Sequence, residues 1–442
     1  MDHLVIIGNG ITGITTARHV RKLSNKQITI ISNESDHFYS RPALMYIFMG
    51  HMRYSDTKPY EDWFWQKNTI NLVRGFVTGI DTDQSMVHLN NDEKISYDQL
   101  LIATGSKPNK FGWPGQDLPG VQGFYGLPDL ELLEKNCVGA KRAVIVGGGL
   151  IGIEFAEMLL SRHIAVTMLV REESYWNNIL PQRESELVSR HIREHGIDLR
   201  CKVNLKELVP GSEGRVQAVI TDNGEEIPCE IVGLTPGVSP NIELAKNSKI
   251  ATNRGVLVNE FLETNIRNVY AAGDCAEITE SDSANNKIEQ LWYTGRMQGM
   301  ALAKTLCGER TPYNRGIWFN SAKFLDIEYQ TYGYVSNIPR DGEDSFYWEH
   351  PDDRKCLHLV YEQKSHALLG MNVFGIRMRH RVFEAWIREK RSLEYVLENL
   401  GEADFDPEFY REFEREIVAL YNRQFPEKNL HSRKKRGLLN FL

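Results

Sequence analysis

What this chain has little of narrows the field first. Six cysteines are scattered over 442 residues, at positions 137, 201, 229, 275, 307 and 356. No two stand in a C-x-x-C or other short-spaced pair, so neither a zinc site nor a redox dithiol can be read locally. Single dispersed cysteines fit a reducing compartment. Charge of one sign is scarce too: 52 Lys and Arg against 59 Asp and Glu leave a net −7. That balance argues against an extended nucleic-acid surface. Long hydrophobic runs are missing, and no uncharged apolar stretch reaches the roughly 18–20 residues needed to cross a bilayer. A cleavable leader is not expected, because a glycine turn that must stay intact begins at Gly8. The chain is therefore read as cytoplasmic, with neither membrane nor nucleic acid as a partner. Its length exceeds one ordinary core, and two to four domains are expected.

What is present is a strand–glycine–helix pattern, and it occurs twice. Leu4–Ile7 is a short apolar run that reads as a buried parallel strand. Gly8, Gly10 and Gly13 follow as G-x-G-x-x-G. The first permits a tight bend, the second lets backbone N–H groups approach a pyrophosphate, and the third lets the helix pack on the strand. Helical spacing runs from Ile14 to Leu23, its N-terminus favouring phosphate, and a second strand spans Gln27–Ile31. The residue ending that strand, where an acid would grip a ribose, is Ser32. Glu34 is the substitute, with an ordinary loop acid as the alternative.

The second unit has its strand at Ala143–Val146, its loop at Gly147, Gly149 and Gly152, its helix at Ile151–Leu160 and its next strand at Ala165–Val170. Two complete fingerprints imply two dinucleotides. Arg171 ends the second unit, where an acid would bind the ribose hydroxyl of NAD and an arginine the 2′-phosphate of NADP. NADPH is thus favoured over NADH, although Glu172 and Glu173 stand beside it.

Three further segments carry a family resemblance. Tyr97–Pro108 (YDQLLIATGSKP) is an apolar strand entering a Thr-Gly turn. Ile231–Asn241 (IVGLTPGVSPN) is a similar strand and turn closing the second unit. Thr264–Ala276 (TNIRNVYAAGDCA) sets an Asp after a strand and a tight Gly turn. In this order, over roughly residues 1–325, they resemble the pyridine-nucleotide-disulfide oxidoreductase superfamily. The resemblance implies an α/β fold of two Rossmann-like dinucleotide-binding domains plus an α+β C-terminal interface domain, the NAD(P) domain being inserted into the FAD domain. The expected limits are 1–110 and 241–312 for the FAD domain, 111–240 for the NAD(P) domain and 313–442 for the last. The Pro- and Gly-rich link Pro108–Gly126 is the expected first hinge.

The same resemblance implies FAD at the first glycine loop (Gly8, Gly10, Ile11, Thr12, Gly13) and along Val77, Ala103, Thr104, Gly105, Gly273 and Asp274. Asp274 would bind the ribityl chain. NAD(P)H would lie at Gly147, Gly149, Leu150, Ile151, Gly152, Arg171 and Gly237. Glu154 matches a glutamate placed where nicotinamide meets flavin, the alternative being an ordinary helix acid. Lys323 falls where related reductases set a lysine near the flavin.

One element of the superfamily is absent. Disulfide-reducing branches carry a cysteine after the second strand, but here Asp36–Tyr46 reads DHFYSRPALMY. The YSRPxL pattern looks like the rubredoxin and ferredoxin reductases and the flavin module of nitrite reductases, with Arg41 and Pro42 beside FAD. Without a thiol at the flavin no mixed disulfide can form. Cys275 has small apolar neighbours and reads as buried and inert. The implied function is transfer of electrons from NAD(P)H through FAD to an iron–sulfur or rubredoxin-type protein, with a homodimer as the implied assembly. Delivery to oxygen, a quinone or another small oxidant is the runner-up, and a flavin-binding redox sensor or scaffold the alternative of another class.

In the C-terminal 130 residues, Cys356–Tyr361 and Leu368–Phe374 fit strands and Arg381–Leu400 fits one amphipathic helix. The dense aromatics from Trp318 to Trp348 read as packing, or else as a docking face. The basic run His431–Arg436 reads as a solvated tail, or else as a patch that steers an acidic ferredoxin.

Overall fold

The computed structural model describes residues 2–279, 287–352, 354–405 and 411–433. Two parallel sheets form its centre. The first runs Val269–Ala271, Gln99–Ile102, His3–Ile7, Gln27–Ser32 and Ile70–Arg74 from edge to edge, every pair parallel. Strands Leu4–Ile7 and Ile28–Ile31 are almost wholly buried, as near-continuous apolar runs in a sheet covered on both faces should be. Helix Ile11–Leu23 covers one face and packs against helix Trp292–Leu306. The approach is close because a Cβ on Gly295 would lie 2.7 Å from Thr12 Oγ1, and one on Gly299 2.8 Å from the Thr12 carbonyl.

The second sheet runs Asp198–Cys201, Ala165–Val170, Arg142–Val146, Ile231–Leu234 and Val121–Gln122, again parallel throughout. All of its strands fall between two that belong to the first sheet, Gln99–Ile102 and Val269–Ala271. The two crossings of the chain, Ser106–Pro108 outward and Val238–Pro240 back, pair antiparallel with each other. Much of the Pro- and Gly-rich link is tied to the second unit: Pro114 and Pro119 accept backbone hydrogen bonds from Leu208 and Val216 of its small antiparallel sheet, and Gly120 from Val232 of the second sheet.

The C-terminal sheet is antiparallel, in the order Phe319–Phe324, Ile327–Gly333, Leu368–Phe374, Cys356–Glu362, Glu343–Glu349. Both expected strands are present, yet alternation along Cys356–Glu362 marks no exposed face. Leu357, Leu359 and Tyr361 enter the core beneath the C-terminal helices. Cys356 and His358 turn toward helix Gln182–Glu194 of the second unit, where Glu184 Oε1 meets His358 Nδ1 at 2.6 Å. Tyr329, Tyr332, Phe346, Tyr347 and Trp348 are buried, so packing accounts for most of the aromatic density, while Tyr334 is exposed.

The expectation of one helix over Arg381–Leu400 is corrected. Two helices stand there, His380–Arg388 and Leu393–Glu398. The chain breaks at Lys390 (φ +53°), and Ser392 restarts it by accepting a side-chain hydrogen bond from the Tyr395 N–H. Among the described residues no helix is long and apolar enough to cross a membrane. The basic run lies outside the described residues from Lys434 onward.

Candidate functional site

The three glycines of the first loop differ in what they permit. Gly8 sits at φ +114°, and a Cβ there would lie 2.1 Å from the Ala103 carbonyl oxygen. A Cβ on Gly13 would lie 2.1 Å from the Gly8 carbonyl oxygen. Gly10 meets nothing within 4 Å. Two glycines thus close the turn and the third faces open space. Behind it, helix Ile11–Leu23 starts with no side-chain cap and no acid in its first turn. Its first N–H groups and its positive dipole end are left for an anion.

The second loop repeats this. Gly147 has φ +124° and a Cβ there would approach the Thr235 carbonyl oxygen at 2.4 Å; on Gly152 it would approach the Gly147 carbonyl oxygen at 2.5 Å; Gly149 is open. Helix Leu150–Ser161 likewise begins uncapped and without an acid in its first turn. The Tyr175 hydroxyl donates to the Gly149 carbonyl at 2.7 Å and holds the loop from behind. Arg171 lies just past strand Ala165–Val170, 75% exposed, its Nε 3.0 Å from Glu172 Oε1. Gly237 takes φ +104° at the return crossing.

A cleft of about 1180 Å³ opens in front of the first loop. Gly8, Gly10, Ile11, Thr12, Glu34, Arg41, Pro42, Val77, Ala103, Thr104, Gly105, Gly273 and Asp274 all line it, as do Leu150, Ile151, Glu154 and Lys323. Gly13, Gly147, Gly149, Gly152, Arg171 and Gly237 do not border it, so the second loop meets the cleft only through the start of its helix. Pockets of this size, with a few convergent polar groups, are where ligands are held.

Glu34 carries more than one contact. Its oxygens receive Arg41 Nη1 at 3.0 Å and Nη2 at 2.7 Å, the Tyr39 hydroxyl, and the Leu127 N–H at 2.9 Å. Arg41 also donates to the Tyr125 carbonyl at 2.8 Å and lies over the Tyr125 ring at 4.5 Å. The Tyr125 hydroxyl accepts from the Ser106 N–H at 2.9 Å and donates to Asp274 Oδ2 at 3.2 Å. Ser106 Oγ donates to the same oxygen at 3.1 Å and accepts from Gln290 Nε2 at 2.8 Å. Burial pushes the Asp274 carboxyl above its ordinary value, with the Ser106 and Tyr125 hydrogen bonds opposing the shift. Asp274 itself borders the cleft. Sequence reasoning missed Tyr125, Ser106 and Gln290. They belong to no spacing motif, and Tyr125 arrives from the outgoing link, 149 residues from the Asp it supports.

At the far end, Glu154 stands one turn into helix Leu150–Ser161. Burial, and then the Glu157 carboxylate, push it up to about 7. Lys323, on strand Phe319–Phe324, donates Nζ to Glu157 Oε1 at 2.7 Å. Here the second loop's helix, the C-terminal sheet and the first loop's cleft converge. None of the cleft-lining residues is a cysteine. Cys275 is fully buried and its thiol donates to the Ile102 and Ala272 carbonyls at 3.4 Å. Burial pushes that thiol up, away from the reactive thiolate.

Residues 2–299 match the family model described as pyridine nucleotide-disulphide oxidoreductase. The chain is 28% identical over 395 residues to an assimilatory nitrate reductase electron transfer subunit of Bacillus subtilis, an alignment that covers 88% of this chain and 50% of the relative. It is 30% identical over 320 residues to a rubredoxin-NAD(+) reductase of Acinetobacter baylyi, covering 70% and 80% respectively. Among solved structures, a ferredoxin reductase from Rhodopseudomonas palustris superposes with a TM-score of 0.79 at 22% identity, over 95% of this chain and all of that one, a likeness of fold. The chain spans about half the length of the Bacillus subtilis relatives it matches.

Proposed function

The chain belongs to the pyridine nucleotide-disulphide oxidoreductase family, and from that premise we propose that it is a flavin-bearing reductase unit. It takes reducing equivalents from NAD(P)H and hands them to an iron–sulfur or rubredoxin-type protein. The observation that carries this reading is the single cleft. It begins at an uncapped helix start in front of Gly10 and ends where the second loop's helix brings Glu154 to the same wall. The residues fit FAD and a nicotinamide dinucleotide: each loop leaves one open glycine before an uncapped helix start, and a half-buried carboxylate, Asp274, lines the first cleft.

Bound there, the two cofactors supply hydride transfer and onward electron release. The chain's own residues do the holding. The N–H groups after Gly10 and Gly149 take the two pyrophosphates, and Asp274, braced by Ser106 and Tyr125, takes a hydroxyl of the flavin chain. Arg41, fixed by Glu34, closes the wall beside Tyr125. Glu154, pushed up to about 7 and so about half protonated at pH 7, would carry less charge than an exposed glutamate at the end of the cleft. Arg171 reads a 2′-phosphate, which favours NADPH. With no thiol on the wall, no cysteine of the cleft would stand between a bound flavin and its acceptor. Relatives named as rubredoxin and ferredoxin reductases support this choice of acceptor. So does one named as an electron transfer subunit of about twice this length.

The test is anaerobic. NADPH or NADH should bleach the bound flavin within seconds, and rubredoxin or a ferredoxin should then restore its colour. Restoration by oxygen or a quinone alone, with both proteins inert, would reject the acceptor proposed.

A further inference from the structure

Away from the cleft, helix Gln182–Glu194 of the second unit ends against the C-terminal sheet. His191 and His195 stand one turn apart there, their rings 4.3 Å between centroids. Asp326 comes from the two-residue turn joining strands Phe319–Phe324 and Ile327–Gly333, where Leu325 holds φ +58°. Its Oδ1 meets His191 Nε2 directly and lies 3.3 Å from His195 Nε2. All three ligand atoms fall within 4.8 Å of one another.

The hydrogen bonds around the cluster fix what these nitrogens offer. His195 Nδ1 is 2.9 Å from the His191 carbonyl oxygen. A carbonyl can only accept, so Nδ1 carries a proton, and in the neutral ring Nε2 presents its lone pair. In that form the lone pair faces Asp326 Oδ1, and what joins two such acceptors is a proton on the ring or a metal ion between them. On the other ring, Nδ1 is buried without a hydrogen-bond partner. The Glu194 carboxylate lies 3.9 Å from it and 3.7 Å from Arg354. A carbonyl accepting from the far nitrogen, as behind His195, is the outer arrangement that orients metal-bound histidines. Ligands about 2.0–2.2 Å from tetrahedral zinc sit roughly 3.3 Å apart, the His195–Asp326 separation, while the direct His191–Asp326 hydrogen bond must open for an ion to enter. His191 is buried while His195 and Asp326 are exposed, which leaves a water-facing side for a fourth ligand.

We propose that His191, His195 and Asp326 bind one zinc ion that ties the second nucleotide unit to the C-terminal sheet. Imidazole and carboxylate together suit zinc and exclude magnesium, which prefers oxygen ligands and keeps its waters. Strand Phe319–Phe324, which leads into Asp326, also carries Asn320–Lys323 on the cleft wall. The ion would therefore steady that strand from its far end without touching the reacting groups.

The experiment uses the full, flavin-loaded chain, treated with EDTA and freed of it, then titrated with zinc chloride in a calorimeter. One ion per chain should bind, and the unfolding temperature should rise with zinc and not with magnesium. Asp326→Asn and His195→Ala lie away from the cleft, so their flavin spectra should match the parent; each removes a contact to His191, so the zinc-dependent rise in unfolding temperature is compared with each variant's own metal-free value. Each should weaken zinc binding by about tenfold or more, since even outer-shell changes cost 10–100-fold. X-ray absorption at the zinc edge should show nitrogen and oxygen neighbours only. The proposal is overturned if binding does not saturate at one ion, if both variants bind zinc as the parent does, or if sulfur appears in the first shell.

Discussion

The two glycine loops are near copies, and their surroundings are not. In each, the first glycine has a positive φ and sits against a carbonyl of a neighbouring strand's end, the third sits against the first, and the second is open. Around the first loop the protein closes in: Gly295 and Gly299 bring a second helix onto Thr12, and Asp274, Tyr125, Ser106 and Gln290 form a connected polar wall. Around the second, the residue that would read the ribose is Arg171, three-quarters exposed. One phosphate motif thus serves two purposes. Enclosed by a polar network it suits a cofactor that stays; left at the surface it suits a nucleotide that comes and goes.

The comparison breaks first at the open glycines. A valine at position 10 or 149 meets no protein atom near its Cβ, so each variant should fold. Gly10→Val is expected to come out largely flavin-free, because the side chain occupies the place of the pyrophosphate. Gly149→Val should keep full flavin while its KM for NAD(P)H rises at least about tenfold, about 1.4 kcal/mol in binding. Flavin absorbance per chain and steady-state kinetics read both. Flavin loss from the second variant, or full flavin in the first, would reverse the assignment of the loops.

Arg171→Ala sharpens the exposed side. A hydrogen bond to a charged group is worth about 1.5–3 kcal/mol, and exposure to water places this one at the low end. KM for NADPH should rise about tenfold and that for NADH hardly at all. Equal changes would mean that Arg171, which already contacts Glu172, does not read the 2′-phosphate.

The loops themselves were legible because their physics is local. A bend, an open approach and a helix start are each set by residues within a few positions, so Gly8–Gly13 and Gly147–Gly152 could be assigned from spacing alone. The polar wall was not legible. Tyr125 supports Asp274 from 149 residues away, and nothing in its own neighbourhood announces that. Glu34 could be placed near the ribose by its position, but its engagement with Arg41, Tyr39 and the Leu127 N–H depends on how the outgoing link folds back. The broken helix near Lys390 failed for a similar reason. Its apolar periodicity continues across the break, and only the Ser392 cap marks the second start.

Glu154 tests the junction between the two regions. Its folded-state value near 7 lies above the 4.5 of an exposed glutamate, so the folded chain holds this proton more tightly than the unfolded one. Stability therefore falls as pH rises between those values. Glu154→Gln carries no such proton. It should match the parent near pH 5 and melt higher at pH 8, by about 2–4 °C for each kcal/mol recovered in a large chain. A gain of equal size at both values would mean that the carboxyl is not held neutral by its surroundings.

The smallest expected effect concerns the thiols, and it bears on both regions at once. If electrons leave directly from the flavin, replacing each of the six cysteines singly by Ser or Ala should leave NAD(P)H-driven dye reduction largely unchanged. Cys275 is the one to watch, because it follows Asp274 and is fully buried, with its thiol on the Ile102 and Ala272 carbonyls. A serine there keeps the hydrogen bonds in a shorter side chain, whereas an alanine drops them and opens a small cavity, so alanine should loosen the turn more. Flavin content measured beside activity separates the two ways of failing. Activity and flavin lost together, and more in alanine than in serine, report the support of Asp274. Activity lost with flavin fully retained, in any one of the six variants, would show a thiol reaching the flavin. Electron exit from the flavin alone would then be wrong.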